Sequence, residues 1–463
     1  MLLDLILPAP ATSPGGWPGL GGRGGALEAR VEGFKSVGSA TLRLAPLTLI
    51  LGPPASGKSN LLEALEVLGF AVKTLIEAAA GEYPSQRDVG RLDDYVRAVR
   101  CSDLLSTFRG AKRSFRVALG GPQGGIAAAG SCESPRRLRL SVALRGAGGE
   151  VEVEVRALIG RSRSLRGLRG DVRELFGEEA LPLLDFIRMF FESKESEESV
   201  AVKVRRGAHE GGGAPQVSRV WAPVPRLYGF DRMNVLYTLQ HNLATARYPE
   251  SYMEERGRNL GFILYSYDNV LREVQDVIDE VVEGIEVHPL ADGGLAFFDG
   301  GRDVGPSSVS DTLLRAIYGV AAIASNKVSA RYWEGRRLEG GGLSEATLHP
   351  IVMLEEPESH MHPWAFGGLA RYLVDSASEG LVSLVVTTHS GSLADLIVGE
   401  ALRGDPGLLG VYYFQRPPGG ATRVYRVSVD RLYAEELMTL DELIRQPENV
   451  IERLVSEDIM VRV

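Results

Sequence analysis

Cysteine is nearly absent from the chain: two residues in 463, Cys101 and Cys132. Two thiols cannot build a disulfide framework and fall short of a four-thiolate metal site. Lysine is almost as scarce, with 7 residues against 44 arginines. No apolar run approaches the ~20 residues that a membrane-spanning helix needs. Asp4 sits in the apolar start, where a signal peptide would carry Lys or Arg. There are no internal repeats and no sustained heptads, which excludes a solenoid and a long coiled-coil arm. The expectation is a cytoplasmic protein with no membrane segment.

The rest of the composition is that of a globular protein, with 44% hydrophobic and 24% charged residues. At ~150 residues per domain the length allows two or three domains. The net charge of −9 argues against a surface coated for nucleic acid. That charge is unevenly spread. Residues Tyr95–Gly170 carry 15 basic and 5 acidic side chains, a local excess of +10, so the remainder carries −19.

Residues Pro8–Gly25 are mostly Gly and Pro and have little to bury, so 1–26 reads as a disordered tail. Leu27, Ala29 and Val31 alternate with polar residues, and Ala40–Leu44 repeats the pattern, which predicts two strands. Leu47–Leu51 is apolar except for Thr48, as in a buried parallel strand. Leu61–Ile76 reads as a helix. Gly-rich breaks and alternating stretches then suggest an inserted, partly antiparallel β lobe over 77–224, with one helical arm at Val172–Phe191 and an acidic run at Glu192–Ser199. Asn269–Val282 has an apolar stripe at helical spacing. Short strands are expected at Ile285–His288, Leu295–Phe298, Ile351–Leu354 and Leu381–Thr387, with a late hairpin formed by Val411–Gln415 and Arg423–Val427. The reading is an α/β unit in two halves, 27–76 and 225–430, followed by C-terminal helices over 431–463.

Gly52-Pro53-Pro54-Ala55-Ser56-Gly57-Lys58-Ser59 fits G-x-x-x-x-G-K-[ST]. A tight turn with this spacing aims successive backbone N–H groups and a helix N-terminus at a β-phosphate. Lys58 then reaches the β- and γ-phosphates, and the Ser59 hydroxyl is a ligand for Mg²⁺. The buried-type strand before the loop and the Leu-rich helix after it supply the required context. Pro54 has no N–H to offer, and Ala55 is tolerable there if its φ is negative. The second cluster is Glu355-Glu356-Pro357-Glu358-Ser359-His360-Met361-His362-Pro363, at the end of an apolar strand. Acids at the carboxyl end of a parallel strand face the ligand crevice of an open α/β sheet. One can join a Mg²⁺ shell and the next can polarise a water. His360 and His362 also raise the alternative of a transition-metal site, and the whole run could be an exposed acidic loop. Thr387-Thr388-His389-Ser390 follows the next apolar strand.

Together with Val31-Glu-Gly-Phe-Lys35-Ser36 and Asn60-Leu-Leu-Glu-Ala-Leu65, these segments resemble the ABC-type P-loop ATPase heads of the SMC/RecF/OLD-like group. The resemblance covers about 60% of the chain. It implies a P-loop NTPase fold, and ATP with Mg²⁺ held by Gly52–Asn60, with Lys35 nearby. It further implies Glu355 on the metal side, Glu356 activating water and His389 sensing the γ-phosphate. Ser308-Val-Ser310-Asp311-Thr312-Leu-Leu-Arg315 resembles the group's signature "S-D-G-T-x-R" without its glycine, so Ser310 would act on a partner's nucleotide in a homodimer. The same stretch also reads as a simple helix cap. A Gly- and Arg-rich insert over Asn326–Gly342 lengthens the path to the acids. Gln123, Gln216 and Gln240 give no convincing Q-loop. Arg258–Leu264 resembles a family segment without assigned chemistry. A Toprim nuclease is not expected, because the stretch after His389 has no Asp-x-Asp pair. A transporter ATPase would need a signature "L-S-G-G-Q". The arginines Arg136, Arg137, Arg139, Arg161, Arg163, Arg166 and Arg169 could track a DNA backbone or hold a partner protein, but aromatics to stack bases are almost absent there, so a solvated sheet face is the plainer reading. A non-hydrolysing, nucleotide-gated binding protein is the alternative function.

Overall fold

A computed structural model describes residues 27–79, 96–98, 100–106, 114–121, 124–134, 137–146, 149–158, 202–206, 217–230, 232, 235, 252–257, 259–282, 284–334, 336–337, 343–446 and 448–463. The expected tail, the arm at Val172–Phe191, the acidic run after it, the three glutamines, Arg258 and the arginines at 136, 161, 163, 166 and 169 lie outside the described residues.

The chain opens with β1 (Leu27–Phe34), β2 (Val37–Leu44), β3 (Leu47–Leu51) and α1 (Lys58–Ala79). Six strands follow: β4 (Ser114–Gly121), β5 (Gly124–Ser134), β6 (Arg137–Gly146), β7 (Gly149–Leu158), β8 (Val202–Arg206) and β9 (Val217–Tyr228). Then come α2 (Leu260–Ser266), α3 (Asp268–Val281), β10 (Ile285–Pro289), β11 (Leu295–Asp299), β12 (Arg302–Val304) and α4 (Asp311–Tyr332). The last part comprises β13 (Arg336–Arg337), β14 (Leu343–Glu355), α5 (Phe366–Ser378), β15 (Ser383–Thr387), α6 (Gly391–Arg403), β16 (Leu409–Gln415), β17 (Arg423–Val427), α7 (Val429–Ala434), α8 (Leu440–Ile444), α9 (Glu448–Ser456) and β18 (Met460–Arg462).

The central sheet explains the apolar runs. β9, β14, β15, β3 and β16 lie side by side and all run parallel, with β17 antiparallel to β16 and β18 antiparallel to β17 at one edge. Strand residues of a sheet covered on both faces must be apolar on both faces. Period-two alternation sorts them. Leu47, Leu49, Leu51, Val352, Leu354, Leu384 and Val386 join the core under α3–α6. Ile50, Ile351, Met353 and Val385 join the core around α1. Thr48, the one polar residue of β3, is fully buried, and its hydroxyl accepts from the Ala45 N–H at 3.0 Å.

A second, seven-stranded antiparallel sheet has the order β2-β1-β4-β5-β6-β7-β8. The first hairpin is therefore continuous with the strands of the lobe that follows it, and α1 packs its apolar face against both sheets. Phe34 and Phe115 pin β1 to β4 edge-to-face at 5.2 Å. β10–β12 form a separate small sheet.

Element bounds differ from the sequence reading in several places. α1 continues to Ala79, and β9 runs across the boundary placed at 225. The C-terminal stretch contributes β18 to the central sheet as well as helices. The insert expected over Asn326–Gly342 is helical through Tyr332, because its polar residues have buried partners. Asn326 Nδ2 donates to Tyr228 Oη at 2.8 Å and to Ala322 O at 2.8 Å. Lys327 pairs with Glu273 at 3.0 Å and with Glu379 at 2.5 Å. Among the described residues, no helix is long and apolar enough to cross a membrane.

Candidate functional site

Strand register brings the separated motifs to one edge. Glu355 lies opposite Thr387, Thr387 opposite Ile50, and Leu51 opposite Tyr413. The loop after β3, the acids ending β14 and the histidine after β15 therefore all emerge at the carboxyl edge of the sheet, where open α/β folds bind ligands.

The phosphate loop spans Gly52–Ser59. Gly52 has φ +144, and a Cβ there would lie 2.3 Å from Phe414 O on β16. Lys58 is buried and folds back on the loop, donating to Gly52 O at 2.7 Å and Pro53 O at 3.2 Å. Burial lowers its pKa, against the raising influence of Glu356, Glu358 and Glu355. The ammonium is thus held against the loop by the two carbonyls. Ala55 adopts φ +60, outside the negative range in which an alanine is readily tolerated. A left-handed residue with a Cβ costs about 1–2 kcal/mol. The turn keeps it because Pro54 fixes the chain before it and Ser56 N–H closes on Pro53 O at 3.3 Å. A cavity of about 540 Å³ opens beside this tip, between Pro53–Ser56 and residues 415–419.

The strand end at β14 turns sharply. Glu356 has φ +46, and its N–H donates to Thr387 O at 2.9 Å. Strain of this sort at a non-glycine residue concentrates at functional sites. The Glu356 carboxylate meets His389 Nδ1 at 3.1 Å and accepts from Ser359 Oγ at 3.3 Å. Both side chains are partly open to solvent. Glu358 lies beneath them. It is buried and takes a short hydrogen bond from Thr388 Oγ1, and its Oε1 lies 3.4 Å from the His389 N–H. Ser390 caps α6 by accepting from Leu393 N–H at 3.3 Å, which fixes the helix start behind His389.

Burial pushes the Glu358 carboxyl above its ordinary value of 4.5, against the lowering influence of Thr388, its own backbone and His389. The folded state then holds the proton more tightly than the unfolded chain. This group's stabilisation is fully present below the ordinary pKa and is lost as pH rises through the raised one. Glu358→Gln should remove that loss, so chemical denaturation should show its stability rising relative to wild type from acidic to neutral pH. A constant difference across that range would contradict the assignment.

The other expected residues are placed as follows. Ser59 and Asn60 open α1, and Asn60 Nδ2 donates to Ser36 Oγ at 2.8 Å. Lys35, expected near the nucleotide, is paired with Glu63 and donates to Arg97 O at 2.8 Å. Ser310 caps α4, its hydroxyl accepting from Leu313 N–H at 3.3 Å. Among the described residues, no hydrogen bond joins Ser310 to the phosphate loop. Arg315, one turn further, lies over Phe230 at 4.4 Å, and its pKa is lowered by burial, against Glu358 and Glu356. His362 N–H donates to Thr312 Oγ1 at 3.3 Å, so the signature-like helix abuts the acidic loop of its own chain. Among the described residues, no three His, Cys, Asp or Glu side chains gather as a metal cluster, and His360 and His362 form no such site. Asn259 is buried and bridges Glu254 N–H and Tyr252 O, a structural role for the segment that begins at Arg258.

Four contributors were missed in the sequence reading. Glu358 stands within the quoted motif, and only its burial shows it as the support under His389. Thr422, on the hairpin before β17, donates to Ser56 O at 2.9 Å and shares a 2.9 Å hydrogen bond with Ser36 Oγ. Glu63 follows the loop on α1 and holds Lys35 and the Arg97 N–H. Arg97 itself forms an ion pair with Glu355.

A G-x-x-x-x-G-K-S loop after a central parallel strand, acids two strands away and a histidine after the strand between them form the arrangement that the sequence resemblance implies. Residues 224–395 match the family described as "AAA domain, putative AbiEii toxin, Type IV TA system". No curated protein sequence matches the chain. Among solved structures, an SMC head bound to the C-winged helix domain of ScpA is 13% identical with a TM-score of 0.43, covering 88% of this chain and 99% of that one. The SMC head domain from Thermotoga maritima is 13% identical with a TM-score of 0.35, over 87% and 99%. An SMC head with an extended coiled coil, bound to the C-terminal domain of ScpA derived from Pyrococcus furiosus, is 14% identical with a TM-score of 0.40, over 89% and 99%.

Proposed function

We propose that the chain binds Mg²⁺–ATP and hydrolyses it, using turnover as a conformational switch in DNA repair or defence. The observation that carries the reading is the meeting of Glu356 and His389 at 3.1 Å on the edge that Lys58 faces. The donor set fits magnesium: a hydroxyl at Ser59 and a carboxylate at Glu355 are hard oxygen ligands, and substrate phosphates and waters complete such a shell. The bound ion would neutralise charge on the phosphates. The Arg97 guanidinium already occupies Glu355 as a cation. Lys58 exchanges the two loop carbonyls for phosphate oxygens, Glu356 accepts a proton from the attacking water, and His389 orients on the γ-phosphate. Ser310, which caps its own helix, would act in trans as the resemblance implies, in a homodimer that sandwiches the nucleotides. DNA or a partner protein is assigned to the Arg-rich stretch. The matched family's description as a toxin supports the defence setting. A non-hydrolysing, nucleotide-gated protein is the second reading, favoured by the strained Ala55 and the missing Pro54 N–H.

Steady-state phosphate release, with and without duplex DNA, tests the proposal. Turnover stimulated by DNA, and lost on neutralising Arg161, Arg163 and Arg166, is the expected result. No Mg²⁺-dependent release above background would sink the hydrolytic reading.

A further inference from the structure

Arg97 has no place in the chemistry above, yet it spans the site. Its guanidinium pairs with Glu355, and its Nε lies 3.8 Å from Glu63. Its own N–H donates to Glu63 Oε2 at 3.1 Å, and its carbonyl accepts from Lys35. The arginine side chain is 68% exposed, so this pair is not a packing necessity. It is a cation standing where a metal ion would have to come.

The backbone that carries Arg97 is held at a few points. Lys35 N–H donates to Leu104 O at 3.0 Å, and Ser106 N–H to Gly33 O at 3.1 Å. Before both, at the start of the short turn Cys101–Leu104, Cys101 is disulfide-bonded to Cys132 on β5. The two cysteines lie 31 residues apart, and the register of β5 with β6 shifts just past Cys132. The only cysteines of the chain are thus spent on tying the Arg97 segment to the antiparallel sheet.

We infer that the Cys101–Cys132 bond is a positioning crosslink for Arg97: oxidised, it holds the guanidinium on Glu355 as an internal cation that Mg²⁺ must displace. This rests on the nucleotide-site reading above. Reduction by an external dithiol breaks the S–S bond, takes up two electrons and two protons to leave thiols at Cys101 and Cys132, and converts the dithiol to its own disulfide. The freed segment lets Arg97 withdraw, and the metal loads at lower concentration. Two cations competing for one carboxylate of an exposed pair shift a midpoint by roughly 2- to 5-fold.

The test is equilibrium binding of a fluorescent ATP analogue as Mg²⁺ is titrated, on the full chain before and after dithiothreitol, with free thiols counted in parallel. The Mg²⁺ midpoint should fall roughly 2- to 5-fold on reduction. Arg97→Gln and Cys132→Ser should each show the lower midpoint without reductant, and the double variant should show no further shift. A disulfide that only stabilises the fold would change the melting temperature and leave the midpoint alone, which would overturn the inference. Two free thiols in the native, unreduced protein would also overturn it. Failure to bind the analogue at any Mg²⁺ concentration would instead remove the nucleotide site itself.

Discussion

Replacing Glu356 by Gln is expected to lower ATP turnover by about 10²- to 10⁴-fold, the usual contribution of a general base, with nucleotide affinity within about twofold of wild type. The substitution is nearly isosteric, so the left-handed turn at φ +46 and its N–H bond to Thr387 O are kept. Ser359 Oγ can still donate to the amide oxygen. What disappears is a carboxylate able to take a proton, together with the carboxylate contact to His389 Nδ1 at 3.1 Å. Neither Lys58 nor the loop carbonyls it holds are touched, so binding survives. His389→Ala should cost less, because the carboxylate remains. Phosphate release and equilibrium binding, measured on the same preparation, separate the two effects. Equal losses of binding and turnover in Glu356→Gln would show that the acid supports the loop rather than the chemistry.

The readable parts of this chain were those whose physics is local. A five-residue apolar strand, a loop with fixed spacing and a Leu-rich helix sit next to each other in sequence, and each constrains the next. The strand ends carrying Glu355 and His389 were legible for the same reason. Glu358 was in view but silent, because an acid's burial depends on what packs over it. Arg97 and Thr422 could not be read at all. Arg97 meets Glu355 across 258 residues, and Thr422 meets Ser56 across 366. Ala55 takes a positive φ because the whole loop, closed by Pro53 and Ser56, overrides one residue's preference. The Gly- and Arg-rich insert expected from Asn326 begins later, because the helix runs on to Tyr332. Asn326 is fully buried in a network with Tyr228 and Arg226, where satisfied hydrogen bonds offset the cost of burial.

Thr422 turns the second prediction into a test of the loop's architecture. Gly57→Ala should abolish measurable nucleotide binding, a loss of about 100-fold or more, and cost about 1–3 kcal/mol of stability. Gly57 has φ +103, a conformation that residues with a Cβ rarely adopt. The added carbon would also lie 2.3 Å from Thr422 Oγ1 and 2.6 Å from Ser36 Oγ. Those hydroxyls cannot simply turn aside. Thr422 Oγ1 is bonded to Ser56 O, and Ser36 Oγ accepts from Asn60 Nδ2. Relief of the clash therefore pulls on the loop backbone that must point its N–H groups at phosphate. Adding Thr422→Ala to the variant removes the nearest contact but not the strain at φ or the Ser36 contact. Denaturant unfolding of the double variant should recover part of the lost stability, whereas binding should stay lost. Full recovery of binding would mean that Thr422 alone closes the cradle, and no recovery of stability would place the whole cost in the backbone of Gly57.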